Sequence, residues 1–319
     1  LCMTVSLADQ VFAGTKGGGI FRSMDNGNNW DQVNNGLTAT NIAAIAANES
    51  GQLFACAQGQ GVFRSTDNGE SWEQVNHGIS YPWVISIAIN DEGHIFVGTF
   101  EGGGVYRSTD NGESWALLTS GLTNTYVLAL AINSSGYIFA GTYGGVFRSM
   151  DNGDTWQEMN NGMMDPYILS LAINSGDDIF AGLDFGGGVY RSTDNGENWE
   201  PVNNGFTSGN GVYALAFNSM DDLFAGTYGD GVFRTTNNGD SWSQVNNGIT
   251  KPFIVSFGIN SSDEIFAGAY LGGGIFFSGN NGDNWEMKIN GLAATEIRAL
   301  AKNADGEMFA GTYGTGMFR

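Results

Sequence analysis

Short apolar runs alternate with polar turns along the whole chain, and none of the runs has helical spacing. The run at residues 126–132, Tyr-Val-Leu-Ala-Leu-Ala-Ile, has the composition of a strand that is buried on both faces. Three shorter runs follow it at 138–142, 146–149 and 156–159. Asn, Asp and Gly separate the runs, and an Asp-Asn-Gly at 151–153 favours a β-hairpin. The pattern therefore predicts four short antiparallel strands, named A to D in chain order.

This four-strand unit recurs with a period of about 43 residues. A tryptophan marks seven of the copies, and successive tryptophans are 42, 43, 41, 43, 43 and 43 residues apart. A constant period of this length means that one unit has been copied and that neighbouring copies stack to bury their apolar faces. Four antiparallel strands per unit are typical of a β-propeller blade, with strand A innermost. The tryptophans are Trp30, Trp72, Trp115, Trp156, Trp199, Trp242 and Trp285.

The number of copies predicts the number of blades. The chain begins inside a strand A and ends inside a strand C, which gives eight A, eight B and eight C strands but seven D strands. We therefore predict an all-β fold: one β-propeller domain over residues 1–319, with eight blades of which the last is incomplete. Seven blades, with one A–B–C set displaced, are the alternative. The approximate blades are 1–40, 41–82, 83–125, 126–166, 167–210, 211–252, 253–295 and 296–319.

Each tryptophan ends a hairpin motif between strands C and D, Ser/Thr-x-Asp/Asn-x-Gly-x-x-Trp. We expect its Asp or Asn side chain to accept hydrogen bonds from turn amides, its Gly to supply a positive φ, and its Trp to pack between blades. Two copies carry Asn, which keeps the acceptor oxygen but loses the charge. A metal site or a catalytic acid would tolerate that exchange poorly, so we predict a structural role. The positions are Asp25, Asp67, Asp110, Asp151, Asp194, Asn237 and Asn280.

The motif resembles the box of the BNR/Asp-box repeat propellers, which include sialidases, xyloglucanases, sortilin-type receptors and photosystem II assembly factors. The resemblance covers all 319 residues and implies the propeller fold. It implies no particular activity, because the same box occurs in enzymes and in binding proteins. In these families the boxes lie at the periphery of the blades. The resemblance therefore implies that a ligand site lies elsewhere.

The resemblance to sialidases does not extend to their active site. Those enzymes use three arginines, a Tyr–Glu pair and an Asp, and their Phe-Arg-Ile-Pro segment is absent here. Seven of the eight arginines occupy one repeat position after strand C, where we expect them to pair with acids at the rim. We therefore predict no sialidase activity. The seven are Arg22, Arg64, Arg107, Arg148, Arg191, Arg234 and Arg319, and Arg298 is the eighth.

A glycoside hydrolase of the xyloglucanase kind is an alternative function. It needs two carboxylates about 5–10 Å apart across a cleft. Acids that break the repeat on the candidate ligand face would have to supply them. The loops hardly vary in length, so no insertion builds a cleft wall, and this disfavours an enzyme. The candidate carboxylates are Glu101, Asp165, Asp184, Asp230 and Glu296.

The net charge of −21 disfavours anionic partners. Nucleic-acid binding needs a basic surface, and adsorption to anionic membranes is equally disfavoured. The apolar runs are strand-length, so we expect no membrane insertion. High acidity suits a secreted bacterial-type protein, and we predict an extracellular or periplasmic location. We expect no cofactor: calcium is the ion that carboxylates would favour, but no Asp-x-Asp-x-Asp-Gly loop is present.

The copies diverge at two positions, one that opens strand A and one that follows strand B. The D–A and B–C loops lie at one mouth of a propeller channel, and exposed loops are where repeat proteins acquire function. Aromatic rings beside acids suit a sugar or a peptide, because they offer stacking and directed hydrogen bonds. Packing between blades is the alternative explanation. The predicted ligand-binding residues are Trp83, Phe100, Tyr126, Tyr143, Tyr167, Glu101, Asp165 and Asp184.

These features together predict a non-catalytic binding or scaffold propeller that recognises a glycan, a peptide or a partner protein at its channel mouth. The near-identity of the copies favours a scaffold over a tuned active site. A glycoside hydrolase with two carboxylates is the first alternative. The sensory propeller of a membrane-bound regulator is the second.

Overall fold

Short antiparallel strands in successive hairpins make up the fold. Within the described residues they group into eight sheets, seven with four strands and one with three. The strands of each sheet are adjacent in chain order. The structure, a computed structural model, describes residues 3–5, 11–15, 19–23, 31–39, 41–48, 50–100, 102–164, 166–207, 209–259, 263–270, 274–288, 297–302, 308–312 and 316–318.

The sheets are numbered here in chain order, from the first to the eighth. The first four consist of β1 (Met3–Val5), β2 (Val11–Thr15), β3 (Gly19–Ser23) and β4 (Asp31–Gln32); β5 (Ile42–Ala47), β6 (Leu53–Ala57), β7 (Gly61–Ser65) and β8 (Glu73–Gln74); β9 (Val84–Ile89), β10 (Ile95–Thr99), β11 (Val105–Ser108) and β12 (Ala116–Leu118); and β13 (Val127–Ile132), β14 (Ile138–Thr142), β15 (Gly145–Ser149) and β16 (Gln157–Glu158).

The last four sheets repeat this order. They consist of β17 (Ile168–Ile173), β18 (Ile179–Leu183), β19 (Val189–Ser192) and β20 (Glu200–Pro201); β21 (Val212–Phe217), β22 (Leu223–Thr227), β23 (Val232–Thr235) and β24 (Ser243–Gln244); β25 (Ile254–Ile259), β26 (Ile265–Ala269), β27 (Gly274–Ser278) and β28 (Glu286–Lys288); and β29 (Ile297–Lys302), β30 (Met308–Thr312) and β31 (Gly316–Phe318).

The first strands of the sheets surround a central channel. Each contacts the first strand of the next sheet, from β5 and β9 through to β25 and β29, and β1 contacts both β5 and β29. The array of sheets therefore closes on itself, and the predicted all-β propeller is confirmed. One sheet lies within each predicted repeat. The count of eight blades and their approximate boundaries stay predictions.

A β-bulge interrupts the first strand of the sheets from the second onwards. In the third sheet Val84 pairs with Thr99 and Ser86 pairs with Gly98, so that Ile85 is an extra residue of β9. A bulge increases the local twist and redirects the side chain of the extra residue. The equivalent extra residues are Ala43, Leu128, Leu169, Tyr213, Val255 and Arg298.

The hydrophobic core lies between neighbouring sheets. One buried cluster joins Phe96 and Leu118 of the third sheet to Ile138, Phe147 and Trp156 of the fourth. Equivalent clusters join other neighbouring sheets of the described region. A single repeat therefore has no core of its own and depends on its neighbours for burial.

The Asp-box hairpin is closed by its own side chains. In the second sheet the Ser65 hydroxyl donates to Asp67 Oδ1 at 2.8 Å, and the same oxygen accepts the Ser71 amide at 2.9 Å. The boxes of Asp110, Asp151 and Asp194 repeat these bonds. The carboxylate thus organises the turn and contacts no other blade through these bonds.

The Asn-containing boxes keep the same pattern. Asn237 Oδ1 accepts the Thr235 hydroxyl at 2.9 Å and the Ser241 amide at 3.0 Å. An amide oxygen therefore replaces the carboxylate oxygen at this position. The first box, with Asp25 and Trp30, lies outside the described residues.

The tryptophan of each described box connects its blade to the preceding one. Trp242 Nε1 donates to the carbonyl of Val202 at 2.6 Å, and its backbone amide donates to the carbonyl of Asn204 at 2.8 Å. The Trp242 carbonyl lies so close to Gly205 that a Cβ atom there would overlap it, and Gly205 has a φ of +81°. Only glycine fits such a position. The indole bond recurs at Trp72, Trp115, Trp199 and Trp285.

The arginine after strand C adds a second tie between blades. Arg148 donates to the carbonyl of Asn195 at 2.7 Å and to the carboxylate of Glu197 at 2.8 Å, both in the next box. Asn133 of the A–B turn donates to Asn195 Oδ1 at 2.8 Å. The predicted pairing of these arginines with acids is confirmed for Arg64, Arg107, Arg148, Arg191 and Arg234.

Two substitutions in one box should separate packing from charge. Trp156→Ala removes a large buried ring and should lower the free energy of unfolding by about 3–5 kcal/mol. Asp151→Asn should change it by less than about 0.5 kcal/mol, because Asn237 and Asn280 already accept the same amide bond. Urea unfolding followed by circular dichroism measures both. Equal losses of unfolding free energy in the two variants would mean that the charge of Asp151 stabilises the box.

The contribution of the indole hydrogen bond to stability can be measured separately, because Trp156 lacks this bond. Trp156 and Trp242 are similarly buried, at 5% and 4% exposure, but Trp156 Nε1 has no hydrogen-bond partner. Trp242→Phe should therefore lower the free energy of unfolding by about 1 kcal/mol more than Trp156→Phe does, since it also leaves the Val202 carbonyl without its indole donor. The same unfolding assay compares the two variants. A larger loss for Trp156→Phe would contradict this account of the tie.

The boxes should also make stability depend on acid pH. The Thr155 hydroxyl donates to Asp151 and the Ser114 hydroxyl to Asp110, and these bonds hold the pKa of both carboxyls below the ordinary 3.8. A depressed pKa stabilises the fold above the unfolded-state value, and that stabilisation is lost as the pH falls. Replacing both residues by Asn should flatten the decline in Tm below pH 3.8. An unchanged decline would assign the acid sensitivity to other groups.

Candidate binding face at the channel mouth

The loops before strand A and after strand B are held together in pairs at one end of the channel. The Phe100 amide donates to the Trp83 carbonyl at 2.9 Å, and the Asp184 amide donates to the Tyr167 carbonyl at 2.9 Å. The two divergent positions of the repeat are therefore neighbours within a blade. Their side chains surround the same mouth of the channel.

Five rings from three consecutive blades form a continuous surface, named the first arc. The ring centroids of Tyr126 and Tyr143 are 5.5 Å apart, and those of Tyr143 and Tyr167 are 5.2 Å apart. Phe100 meets Tyr126 edge-on at 6.0 Å, and Phe185 meets Tyr167 edge-on at 5.6 Å. Tyr126 and Tyr167 are each 40% exposed. The arc is therefore a surface feature and not packing buried between blades.

Trp83 lies at the same mouth but apart from the first arc. Its ring packs over Gly59 of the preceding blade, where a Cβ atom would lie 3.6 Å from it. The ring is 37% exposed, and Tyr81 beside it in the chain is also exposed. The structure thus brings together four of the five predicted aromatic residues and places the fifth next to Gly59.

Four more rings form a second arc on the following blades. Tyr228 is its centre, with ring centroids 5.4 Å from Tyr213, 5.1 Å from Phe253 and 5.8 Å from Tyr270. Tyr228, Phe253 and Tyr270 occupy the two divergent positions of the sixth and seventh blades. Tyr213 is the bulge residue of β21.

Sequence reasoning missed Tyr213 and Phe185. Tyr213 follows the predicted start of strand A, and only the bulge turns it to the mouth. Its signal is an aromatic residue where the equivalent bulge positions carry Ala, Ile, Leu, Val or Arg. Phe185 lies in the B–C loop with a φ of +51° and is 80% exposed. Such a φ is a genuine outlier for a bulky side chain. Its signal in the sequence is a large apolar residue directly before three glycines.

Asp184 lies where the two arcs are interrupted. Its Oδ1 accepts the Phe185 amide at 2.8 Å. The strand-A position of the next blade is Gly211, and a Cβ atom there would lie 2.5 Å from Asp184 Oδ1. Glycine therefore leaves room for a carboxylate where other blades carry a ring. Burial, followed by the charge of Asp184, raises the pKa of both Tyr143 and Tyr213.

Of the other predicted acids, Asp230 alone lies within the described residues. Glu101 and Asp165 lie outside the described residues, as does Glu296. Asp230 is on the mouth face and accepts the Asn210 side-chain amide at 2.8 Å. Asp184 and Asp230 are thus each held within their own stretch of the mouth, by different partners.

The channel behind the mouth has a wall of mixed polarity. A cavity of about 350 Å³ is lined by the first strands of five blades, from the third to the seventh. The bulge residues Ile85, Leu128, Leu169, Tyr213 and Val255 all contribute to its wall. A ligand at the mouth therefore meets an aromatic and acidic rim around the channel opening.

A larger polar groove of about 880 Å³ lies on the opposite face, between the third and fourth blades. It is lined by box and A–B turn residues such as His94, Arg107 and Asp154. The Arg107–Asp154 pair belongs to the ties between blades, and His94 Nδ1 lies 3.2 Å from Glu92. The groove is thus built from structural contacts, and the mouth is the better candidate for a site.

Within the described ranges, no cluster of His, Cys, Asp and Glu side chains could hold a metal ion. The described region also has no helix long and apolar enough to cross a membrane.

The motif itself is recognised by a family model. The model for the BNR/Asp-box repeat matches residues 190–201, which run from strand C through the box to strand D of the fifth sheet. The same motif recurs at six other places in the sequence and closes five further hairpins of the described region. This protein is a β-propeller that carries a BNR/Asp-box repeat motif.

Solved propellers with the same fold differ widely in function. YCF48 bound to D1 peptide is 14% identical, with 84% of this chain and 89% of that chain covered and a TM-score of 0.69. The extracellular domain of a putative hybrid two component system from B. thetaiotaomicron is 11% identical, with 99% and 50% covered and a TM-score of 0.66. An ancestral GH74 enzyme is 16% identical, with 97% and 57% covered and a TM-score of 0.62.

At these identities the likeness shows the fold alone. The propeller spans about half of the chain in the last two structures. A comparison with curated proteins finds no match to the propeller. Its function therefore has to be argued from the mouth itself.

Proposed function

We propose that this propeller is a non-catalytic binding protein that recognises a peptide or a segment of a partner protein at its channel mouth. The observation that carries the proposal is the first arc, five exposed or half-exposed rings in mutual contact around an acidic rim. An exposed aromatic cluster of this size is typical of an interaction site. YCF48, a propeller of similar fold, is bound to a peptide.

The orientation of the rings favours a peptide over a glycan. Phe100 meets both Tyr126 and Tyr143 nearly edge-on, with interplanar angles of 89° and 79°. Tyr126 and Tyr143 stack on each other at 22°. Several ring faces are therefore covered by neighbouring rings, whereas a sugar platform needs open faces. Gaps between tilted rings suit side chains of a peptide.

A glycoside hydrolase is the second candidate, because a GH74 enzyme has a similar fold. The two described candidate acids speak against it. Asp184 and Asp230 each accept a bond from a different neighbour, and the B–C loops that carry them are short. A secreted location, extracellular or periplasmic, fits the net charge of −21 and the likeness to an extracellular domain.

The proposed function can be tested with three parallel screens of the purified protein. A displayed library of random twelve-residue peptides, a glycan array and turnover assays on plant and bacterial polysaccharides address the peptide, glycan and enzyme readings. We expect selected peptides with micromolar to millimolar Kd, about 4–8 kcal/mol, and no turnover. Selection of glycans alone, or release of reducing ends, would overturn the peptide reading.

Substitutions at the mouth and in a box should have opposite effects. Trp83→Ala and Tyr126→Ala should weaken a selected peptide at least tenfold, about 1.4 kcal/mol, with little change in Tm, because both rings are partly exposed. Trp242→Ala should lower Tm and spare binding, because this ring is buried between blades. Calorimetry and thermal unfolding measure the two effects. If the mouth variants lower Tm but leave peptide binding unchanged, the ligand binds at another place on the protein.

A further inference from the structure

The break between the two arcs has a distinct chemistry. Two tyrosines, Tyr143 of the first arc and Tyr213 of the second, are both within electrostatic range of the Asp184 carboxylate. At Gly211, a Cβ atom would lie 3.0 Å from Tyr213 Cε2 and from Leu169 Cδ1, and 2.5 Å from Asp184 Oδ1. A half-buried carboxylate therefore sits between aromatic and aliphatic walls. This recess is named the Asp184 slot.

Asp184 has no cationic partner among the described side chains. None of the described Lys or Arg side chains forms an ion pair with it, and its Oδ1 accepts the neighbouring Phe185 amide. The charged side chains described on the mouth loops are Asp184, Asp230 and Lys251, and the chain carries −21 overall. The slot is therefore a local anionic point in an acidic protein, which attracts cations.

Phe185 is the second unusual feature of the slot. Its φ of +51° lies in a region that side chains with a Cβ atom rarely adopt, and its amide donates to Asp184 Oδ1. The ring is 80% exposed and contacts Tyr167 edge-on. Backbone strain of this kind clusters at ligand-binding sites. The exposed ring is therefore available to contact a group bound at Asp184.

We propose that the Asp184 slot binds a basic side chain, a guanidinium or an alkylammonium, of the recognised peptide. The inference rests on the proposed function, since the cation would belong to the peptide that the arcs hold. A cation gains from the carboxylate and from the Tyr213 ring that lines the same recess. Arginine fits best, because a planar guanidinium stacks on rings while it bonds a carboxylate.

The slot can be tested without knowing the natural peptide. The probe is N-acetyl-arginine methylamide, and the matched neutral probe is N-acetyl-citrulline methylamide, which has nearly the same shape but carries no charge and has a urea carbonyl in place of one NH2 group. Saturable shifts of the tyrosine ring resonances are followed by NMR in protein with labelled tyrosine. Tyr143→Phe and Tyr213→Phe assign the two signals. We expect saturation with the arginine probe and at least tenfold weaker binding of the citrulline probe.

Two variants separate the slot from the overall charge. Asp184→Asn should weaken the binding of the arginine probe at least tenfold and leave the binding of the citrulline probe unchanged. Asp91→Asn neutralises an exposed acid on the opposite face and should leave both probes unchanged. Thermal unfolding checks that each variant folds. Gly211→Ala, which displaces the carboxylate by steric contact, should act as Asp184→Asn does.

The outcomes distinguish this inference from the proposed function. Equal binding of the two probes, no saturable shift, or no effect of Asp184→Asn would overturn the slot. If random peptides are selected at the mouth but the arginine probe does not bind, the proposed function is retained and the Asp184 slot is rejected as a cation site. If the arginine probe binds and no peptide is selected, the slot is a cation site and its peptide ligand is overturned.

Discussion

The propeller depends on one contact, between the end of each described Asp-box and the glycine turn that follows strand D of the preceding blade. There the tryptophan ring is buried, its amide donates to the preceding blade, and its carbonyl lies against a glycine. The indole also donates to the preceding blade in the described boxes other than that of Trp156. Because the core lies between blades, this tie sets the spacing at which apolar faces meet. Insertion of several residues between boxes would misplace the hydrogen bonds and the glycine contact, whereas spacings of 41 and 43 residues both keep the amide bond. The nearly constant period in the sequence is a consequence of that geometry.

The rim and the mouth therefore carry different constraints. At the rim, the box, the arginine and the Asn of the A–B turn use their side chains to join blades. At the mouth, the D–A and B–C loops are joined through backbone atoms, such as the Phe100 amide and the Trp83 carbonyl. A backbone bond places no demand on the side chains that flank it. The mouth can consequently vary from blade to blade without loss of the fold, and its aromatic arcs occupy those unconstrained positions.

Much of the fold follows from the sequence, because period and turn chemistry are local signals. The strands, the boxes and the aromatic ring at the mouth were all predicted, and four predicted rings do form one surface. The site was less predictable. Tyr213 reaches the mouth through a β-bulge, and Phe185 through a positive φ, neither of which has a local signal. The place of Asp184 depends on Gly211 of the next blade, a juxtaposition that only the closed ring creates.

The Asp184 slot also explains how an aromatic face can be selective. Tyrosine rings accept many apolar partners, so the arcs alone would bind without discrimination. A half-buried carboxylate changes this, because a neutral partner that covers it removes its water and returns no charge. A basic group compensates the carboxylate, and the slot thus favours basic partners over neutral and acidic ones.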